Sequence, residues 1–381
     1  MIFFPLYPVL VLGASLAFAW ALSQETPIQA ILVLEETVLE EGVLRTYVGS
    51  QAYPVGSEAE LRTLLKRLAR PPKPPRFILE EDRWKGVEKR GLSFVEEEAL
   101  AAYREALRAG RKSFRLPVRY TLPSPSLRDL YAQGVREHLA TGETGFRGSS
   151  PERVHNIKTA AGFLDGLLIP KGVFSFNRAL GPITEERGFK EAFVIVGDRT
   201  EQGLGGGVCQ VSTTLFRAFF FAGLPIRERH AHSYQVAYYR PTGLDAAVFQ
   251  PHKDLKVVND TPGALWVQAS IQGYTLRFHL FGTKDRTVAW KGPIFLERTP
   301  PLPPKEIPDP TLPPGARKQV DFAAEGAVVE VRRYVRYGDG RGVEERFLSR
   351  YRPWGAVYLV GPSPRAPGAP PAPPAGGGGA P

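Results

Sequence analysis

The spacing of apolar residues predicts a small α+β module over residues 25–150. Its predicted elements are strands over 30–49 and 113–123 and helices over 57–69 and 93–110. The pair Ser57–Glu60 at the start of the first helix is typical of a capping box. Gly110 follows the second helix, at the position where a left-handed cap is common. Nothing in this pattern requires catalysis, so binding or spacing is the expected role of the module.

A helix that begins near Cys209 is the clearest predicted element of the central region. Apolar side chains recur there at helical spacing, at Val208, Val211, Leu215, Phe219 and Ala222. Gly223 ends this helix and Pro225 prevents its return. Cys209 therefore falls in the first turn, where the helix dipole favours a thiolate and free backbone N–H groups can hold an oxyanion. Three glycines precede it and can bring backbone N–H groups close to a ligand: Gly205, Gly206 and Gly207.

Two strands are predicted after the cysteine helix. Residues 226–239 alternate with period two, and one face of that strand carries His230, His232, Tyr234, Val236 and Tyr238. After the turn RPTG, residues 244–250 have the pattern of a neighbouring strand that bears Asp245. An antiparallel pair would place Asp245 beside the histidines. A cysteine helix, a histidine strand and an aspartate strand then supply a nucleophile, a base and a group that orients the base.

The C-terminal part is predicted as a small β domain that follows a Pro-rich bridge. The bridge, residues 299–315, is expected to be extended and semi-rigid. Residues 316–361 alternate as strands around the turn GDGRG. The tail is rich in Pro and Gly and is expected to be disordered. The whole predicted order is a leader over 1–22, the module over 25–150, a central domain over 151–290, the bridge over 299–315, the β domain over 316–361 and the tail over 362–381.

An uncharged apolar stretch, residues 2–22, opens the chain and predicts export. Ala17, Ala19 and Ala21 offer cleavage sites of a signal peptide, while the length of the stretch also fits an uncleaved membrane anchor. The 49 Lys and Arg against 39 Asp and Glu give a net charge of +10, which favours anionic partners. For an exported protein these partners are peptidoglycan, other anionic wall polymers or the membrane surface, and nucleic acid is not expected. The predicted location is the cell envelope.

Residues suited to chemistry concentrate between 151 and 285, where all three Asn, five of six His and the single Cys occur. One cysteine permits no internal disulfide. Three roles stay open for Cys209: a nucleophile with His232 as base and Asp245 as orienting group, a buried small hydrophobe, or a zinc ligand. Roles in lining the site or holding an oxyanion are predicted for Gly205, Gly206, Gly207, Gln202, Gln210, Ser212, Thr213 and His230. Hydroxyls in a first helical turn can instead satisfy backbone groups only.

The central region resembles the VanW family in residues 150–198 and in the element GGGVCQVSTTLF. The resemblance continues downstream in the segments HAHS, GLDAAV and DLKVVND. This family occurs in bacterial cell-envelope proteins and is named from vancomycin-resistance clusters. The positions that match its pattern are Asn156, Phe174, Ser175, Gly181, Pro182, Gly205, Gly206, Gly207, Cys209, Gln210, Ser212, Thr213, Thr214, His232, Ser233, Asp245, Asp254 and Asn259. The preceding module resembles the peptidoglycan-binding module that accompanies VanW domains, and the C-terminal piece resembles a small β domain found after them.

The order of the central elements, with the phrase AGLPIR, also resembles the core of transglutaminase-like and papain-like thiol enzymes. The sequence therefore predicts an α+β fold in which the cysteine helix packs on an antiparallel sheet. The functional hypothesis is an exported cell-envelope protein whose Cys209 attacks an amide of peptidoglycan, giving hydrolysis or transpeptidation without a cofactor. The alternative is a non-catalytic module that binds the wall or a partner, with Cys209 only packed.

Overall fold

The computed structural model describes residues 27–196 and 199–363, with the side chains of 193–202 left out. The helices are α1 (Glu58–Leu68), α2 (Glu96–Arg108), α3 (Leu127–Ala132), α4 (Pro151–Leu164), α5 (Phe176–Leu180) and α6 (Val208–Phe221). The strands are β1 (Ile28–Glu40), β2 (Val43–Val55), β3 (Lys73–Glu80), β4 (Arg83–Lys89), β5 (Gly91–Ser93), β6 (Ser113–Arg115), β7 (Arg119–Thr121), β8 (Glu137–Gly145), β9 (Leu167–Ile169), β10 (Gly172–Ser175), β11 (Glu191–Val196), β12 (Arg199–Leu204), β13 (Ile226–Glu228), β14 (Lys256–Asn259), β15 (Leu265–Gln272), β16 (Thr275–Gly282), β17 (Arg286–Thr299), β18 (Lys305–Pro308), β19 (Arg317–Asp321), β20 (Gly326–Tyr337), β21 (Gly342–Tyr351) and β22 (Val357–Val360). This mixture of helices and mainly antiparallel sheets is an α+β fold.

The described chain divides into two compact units, the first made of residues 27–37, 46–74 and 88–124. In this unit β6 pairs in parallel with the start of β1, and β5 pairs with β7. The helices α1 and α2 bury apolar faces around Leu61 and Leu100. Ser57 caps α1 by accepting a hydrogen bond from Glu60 N at 3.2 Å, which confirms the predicted helix start. Gly110 follows α2 with φ +61°, as expected of a left-handed cap.

The second unit is built on a four-stranded antiparallel sheet with the order β8-β16-β15-β9. Strand β8 pairs with β16 from Glu137↔Gly282 to Gly145↔Thr275. Residues 125–150 therefore lie in this unit, whereas the sequence pattern placed them in the first module. The reason is that β8 has no partner near it in sequence and completes its hydrogen bonds only with a strand more than 100 residues away.

The cysteine helix α6 lies on this sheet, and Cys209 is its second residue. Its start and end match the prediction, with Gly207 at φ +112° before it and Gly223 at φ +73° after it. Phe216, Phe219 and Phe220 are fully buried in the core, and each contributes roughly 1.5–3 kcal/mol by burial. A Cβ atom on Gly142 of β8 would overlap the Thr214 carbonyl oxygen of α6, so glycine permits the close approach of helix and sheet.

The C-terminal strands form two three-stranded sheets, β17-β20-β21 and β18-β22-β19. The predicted hairpin turn GDGRG is confirmed, because β20 and β21 pair on either side of it with Arg336 opposite Gly342. The predicted bridge over 299–315 is extended where it contains β18, which pairs in parallel with β22. After this strand the chain turns, with Leu312 N donating to Asp309 O at 3.2 Å, so the bridge is not extended throughout.

Of the two strands predicted after the cysteine helix, the first is confirmed only over Ile226–Glu228, and the second is wrong as a strand. Regular pairing ends at Glu228, and residues 244–250 form only the isolated bridges His230↔Ala247 and Phe249↔Lys253. Side chains replace the missing ladder: the Arg229 guanidinium donates to Asp245 O at 2.6 Å and that of Arg217 donates to Leu244 O at 2.9 Å. Among the described residues, no helix is both long and apolar enough to cross a membrane. The apolar stretch 2–22 and the tail from 364 onward lie outside the described residues.

Candidate functional site

The structure brings Cys209, His232 and Asp245 together, although they lie on a helix and two irregular segments. Cys209 stands in the first turn of α6 and is partly exposed, and its thiol donates to Val248 O at 3.5 Å. His232 Nδ1 lies 2.6 Å from Asp245 Oδ2, and the backbone N–H of His232 donates to the same oxygen at 2.8 Å. His232 Nε2 is buried and makes no hydrogen bond with any described residue. The thiol interacts electrostatically with the same ring, so Nε2 is the ring atom available to exchange a proton with sulfur.

The charges around these groups favour a thiolate beside an imidazolium. Burial disfavours the charged imidazole, but hydrogen bonding to Asp245 and interaction with Cys209 outweigh it and raise the pKa of His232 to about 9. Burial also works against the thiolate, while His232 and the Arg153 guanidinium lower the Cys209 pKa below its ordinary value. Asp245 is buried too, yet its contacts with His232 and Arg229 keep its pKa well below the usual range. A negative carboxylate therefore supports a positive imidazole, which in turn supports a negative sulfur.

Asp245 is held from its other side by two residues that the sequence did not single out. Arg229 Nη2 donates to Asp245 Oδ1 at 3.0 Å, and the Tyr351 hydroxyl donates to the same oxygen at 2.5 Å. Tyr351 belongs to β21 of the C-terminal strands, and β21 also supplies Ser349, whose hydroxyl accepts from Arg229 Nη1 at 2.9 Å. No local sequence pattern distinguishes Tyr351 from the other residues of its alternating strand. It lies 106 residues from Asp245 in the chain. The C-terminal β domain therefore completes the environment of Asp245.

The cysteine and histidine face a large open groove of about 1520 Å³. The stretches that line it are 148–150, 203–209, 231–240, 247–250 and 320–325, together with Arg153, Ile183, Thr242, Lys253, Phe295 and Arg298. Tyr239 packs against the imidazole with ring centroids 4.6 Å apart. Because the groove admits molecules larger than water and Cys209 is one of its lining residues, a sizeable substrate can reach the thiol.

The glycines before the cysteine are needed for close packing beside the thiol. Gly205 has φ +79°, and a Cβ there would collide with the Ile183 side chain. The neighbouring carbonyl of Gly206 accepts from the Asn156 side chain at 3.1 Å, which fixes the loop to α4. All three glycines line the groove. At the second position of α6 the backbone N–H has no acceptor within the helix, so it is suited to hold an oxyanion.

Three predicted lining residues are turned away from the groove. Gln210, Ser212 and Thr213 are fully buried. Ser212 Oγ donates to Ala246 O at 2.6 Å and Thr213 Oγ1 accepts from Ala246 N at 3.0 Å, so the two hydroxyls fix the segment that carries Asp245. This corrects the prediction that they line the site: α6 packs on the sheet, so side chains on its inner face point into the core even in the first turns.

Of the remaining two predicted residues, only His230 has a described side chain. His230 lies beside Glu228, with Nε2 3.0 Å from Oε1, and is about one-third exposed. The side chain of Gln202 lies outside the described residues. In the described ranges, no group of three or more His, Cys, Asp or Glu side chains is arranged to hold a metal ion.

Comparisons with known proteins identify the central region. The family described as VanW like protein matches residues 152–281. The uncharacterized protein YoaR of Bacillus subtilis (strain 168) is 32% identical over 173 residues, which cover 44% of this chain and 57% of that protein. The vancomycin B-type resistance protein VanW of Enterococcus faecalis (strain ATCC 700802 / V583) is 30% identical over 145 residues, covering 36% of this chain and 52% of that protein. The chain thus spans little more than half the length of these relatives. No solved structure matches the chain.

Proposed function

Residues 152–281 are a VanW-family domain, and we propose that this domain is a thiol-dependent enzyme that transfers acyl groups of cell-wall peptides. The observation that carries the proposal is the position of His232, whose imidazole lies 2.6 Å from the Asp245 carboxylate and which lines the groove together with Cys209. The order of the three groups along the chain is that of transglutaminase-like and papain-like thiol enzymes, which supports the same chemistry by analogy of arrangement.

The geometry supports a two-step mechanism. The Cys209 thiolate attacks the carbonyl carbon of an amide, and the oxygen becomes an oxyanion beside the backbone N–H groups at the start of α6. His232 then gives the proton on Nε2 to the departing amine, and the C–N bond breaks to leave a thioester. In the second step the neutral imidazole takes a proton from water or from an acceptor amine, which attacks the thioester and releases the thiolate. Asp245 keeps its charge throughout and holds the ring in position.

Cell-wall peptides are the proposed substrate because several features favour the envelope. The apolar stretch 2–22 favours export, as a cleaved signal peptide or as a membrane anchor. The net charge of +10 favours peptidoglycan and other anionic wall polymers over neutral partners, and export argues against nucleic acid. One relative is named for resistance to vancomycin. In this proposal the first unit of the fold binds the wall and the VanW domain acts on it.

The test is the rate of Cys209 alkylation against pH in the purified protein and in His232→Ala. We expect an apparent thiol pKa well below the ordinary value of about 8.5, and a rise of that pKa in the variant. Incubation with wall-derived peptides should then give a thioester adduct on Cys209, detected by mass spectrometry, and none in Cys209→Ser. A thiol that reacts only after unfolding would instead assign the domain to non-catalytic binding of the wall or of a partner.

A further inference from the structure

Arg153, in the first turn of α4, places a guanidinium in the wall of the groove beside the cysteine loop. A Cβ atom on Gly207 would lie 3.1 Å from the Arg153 carbonyl oxygen and 3.2 Å from its Cγ, so the stem of Arg153 packs directly on the loop that precedes Cys209. Its charge is close enough to the thiol to contribute to the lowered Cys209 pKa. Arg153 and Cys209 line the same groove, so the cation belongs to the surface on which an acyl group would be attacked.

The described neighbours of this guanidinium are neutral. Nη1 donates to Ser149 Oγ at 2.5 Å, Nη2 donates to Gln210 Oε1 at 3.0 Å, and the group lies over the Tyr238 ring at 4.5 Å. The guanidinium also hydrogen-bonds to the neutral Tyr239 hydroxyl. Among the described side chains, no carboxylate forms an ion pair with it. By contrast Arg298, another cation of the groove, is paired with Glu325 at 2.8 Å. Arg153 thus keeps its charge and has more N–H donors than these contacts use.

The orientation of the guanidinium is fixed by a buried chain of hydrogen bonds. Gln210 Nε2 donates to Thr144 Oγ1 at 2.5 Å and to Gly145 O at 3.0 Å. With its amide nitrogen committed to these two acceptors, Gln210 must present Oε1 to Arg153. The fully buried Gln210, which the sequence predicts to line the site, is therefore a positioning residue for the arginine.

We infer that Arg153 binds a carboxylate of the acyl donor, so that the amide attacked by Cys209 belongs to a peptide with a free carboxylate beside the scissile bond. A guanidinium held by neutral partners in the wall of a groove pairs with a carboxylate through parallel N–H···O bonds, and the partly buried setting strengthens that pair. The inference rests on the proposed function, since it assumes that Cys209 receives the acyl group. It predicts that the substrates are peptides with a free carboxylate near the scissile bond, rather than neutral amides.

The test compares two alkylating reagents of nearly equal size, iodoacetate, which carries a carboxylate, and the neutral iodoacetamide. The ratio of their rate constants at Cys209 cancels the fraction of thiolate, because both reagents need it. We expect Arg153→Gln to lower the iodoacetate-to-iodoacetamide ratio roughly tenfold. Arg153→Lys should lower it less, since it keeps the charge but loses the planar fork. Arg298→Gln is the matched control and should leave the ratio unchanged.

The outcomes separate the two proposals. A ratio that stays within about twofold in Arg153→Gln, or that falls equally in Arg298→Gln, overturns carboxylate binding by Arg153 while Cys209 remains a reactive thiol. If Cys209 in the folded protein reacts with neither reagent, the proposed function fails and this inference fails with it. A melting temperature close to that of the unmodified protein shows that each variant is folded. If Arg153→Gln does not fold, Arg153→Lys still tests the inference, because the iodoacetate-to-iodoacetamide ratio should fall in that variant too.

Discussion

Replacing Asp245 by asparagine changes one atom of a buried carboxylate that four donors approach. Oδ2 accepts from the His232 backbone N–H at 2.8 Å and from Nδ1 at 2.6 Å, while Oδ1 accepts from Arg229 at 3.0 Å and Tyr351 at 2.5 Å. In either orientation of the asparagine amide, its NH2 group faces two groups that also donate, so two hydrogen bonds lose their acceptor. The Arg229 side chain, 6% exposed, also loses its counter-charge. Breaking a buried ion pair in this way costs about 3–5 kcal/mol, so we expect a loss of unfolding free energy of about 4 kcal/mol.

Urea unfolding followed by tryptophan fluorescence measures this loss. The four described tryptophans, Trp84, Trp266, Trp290 and Trp354, all lie in the second unit and report on it. Asp165→Asn is the control. Asp165 pairs with Arg76 at 2.6 Å, but its side chain is 32% exposed and that of Arg76 is 42% exposed. That change should cost no more than about 1 kcal/mol. Equal losses in the two variants, or a loss below about 1 kcal/mol in Asp245→Asn, would refute the account of the buried carboxylate.

Three further predictions concern the packing around the site and the sheet beneath it. Tyr351→Phe should lower stability by about 1.5–3 kcal/mol in urea unfolding, because it removes a hydrogen bond to the charged Asp245. An unchanged unfolding free energy would contradict the support of Asp245 by the C-terminal strands. His138 and His279 are partly buried, and burial lowers the pKa of each to about 4. Stability should therefore fall as the pH drops from about 6.5 towards 4. The double change to Gln should reduce this slope in urea titrations at several pH values. Gly142→Ala should prevent close packing of the cysteine helix on its sheet and lower the melting temperature strongly. Gly273→Asn is the control: Gly273 is exposed, has open space around it and has φ +57°, which asparagine tolerates, so the melting temperature should change little.

Local sequence determined the cysteine helix almost completely. The apolar spacing, Gly207 before it and Gly223 after it are all contained in a stretch of 17 residues, and the structure has the helix over Val208–Phe221. The same holds for the capped helix that starts after Ser57 and for the hairpin at GDGRG. In these cases the hydrogen bonds that stabilise the element join residues close together in the chain, so composition and spacing contain the needed information.

The proximity of Asp245 to His232 was also foreseen, but for a reason that is only partly right. A regular antiparallel pair was expected, whereas the two segments meet at a single bridge between His230 and Ala247. Their backbone groups are held by arginine side chains and by the backbone N–H of Arg352, which donates to Ser233 O at 2.7 Å. Alternation of side chains cannot reveal this, because it records which face is buried and not which distant group supplies the hydrogen bond.

The tertiary structure alone decided which polar side chains reach the groove and which support it. Gln210 and Ser212 stand in the same motif as Cys209, yet both are buried and act on the backbone or on Arg153. Tyr351, more than 100 residues away, contacts Asp245 directly. The sequence by itself determined the helix that carries the thiol and the candidates for its partners. Their roles depended on contacts between segments far apart in the chain, whose formation is governed by packing of the whole unit and not by local preference.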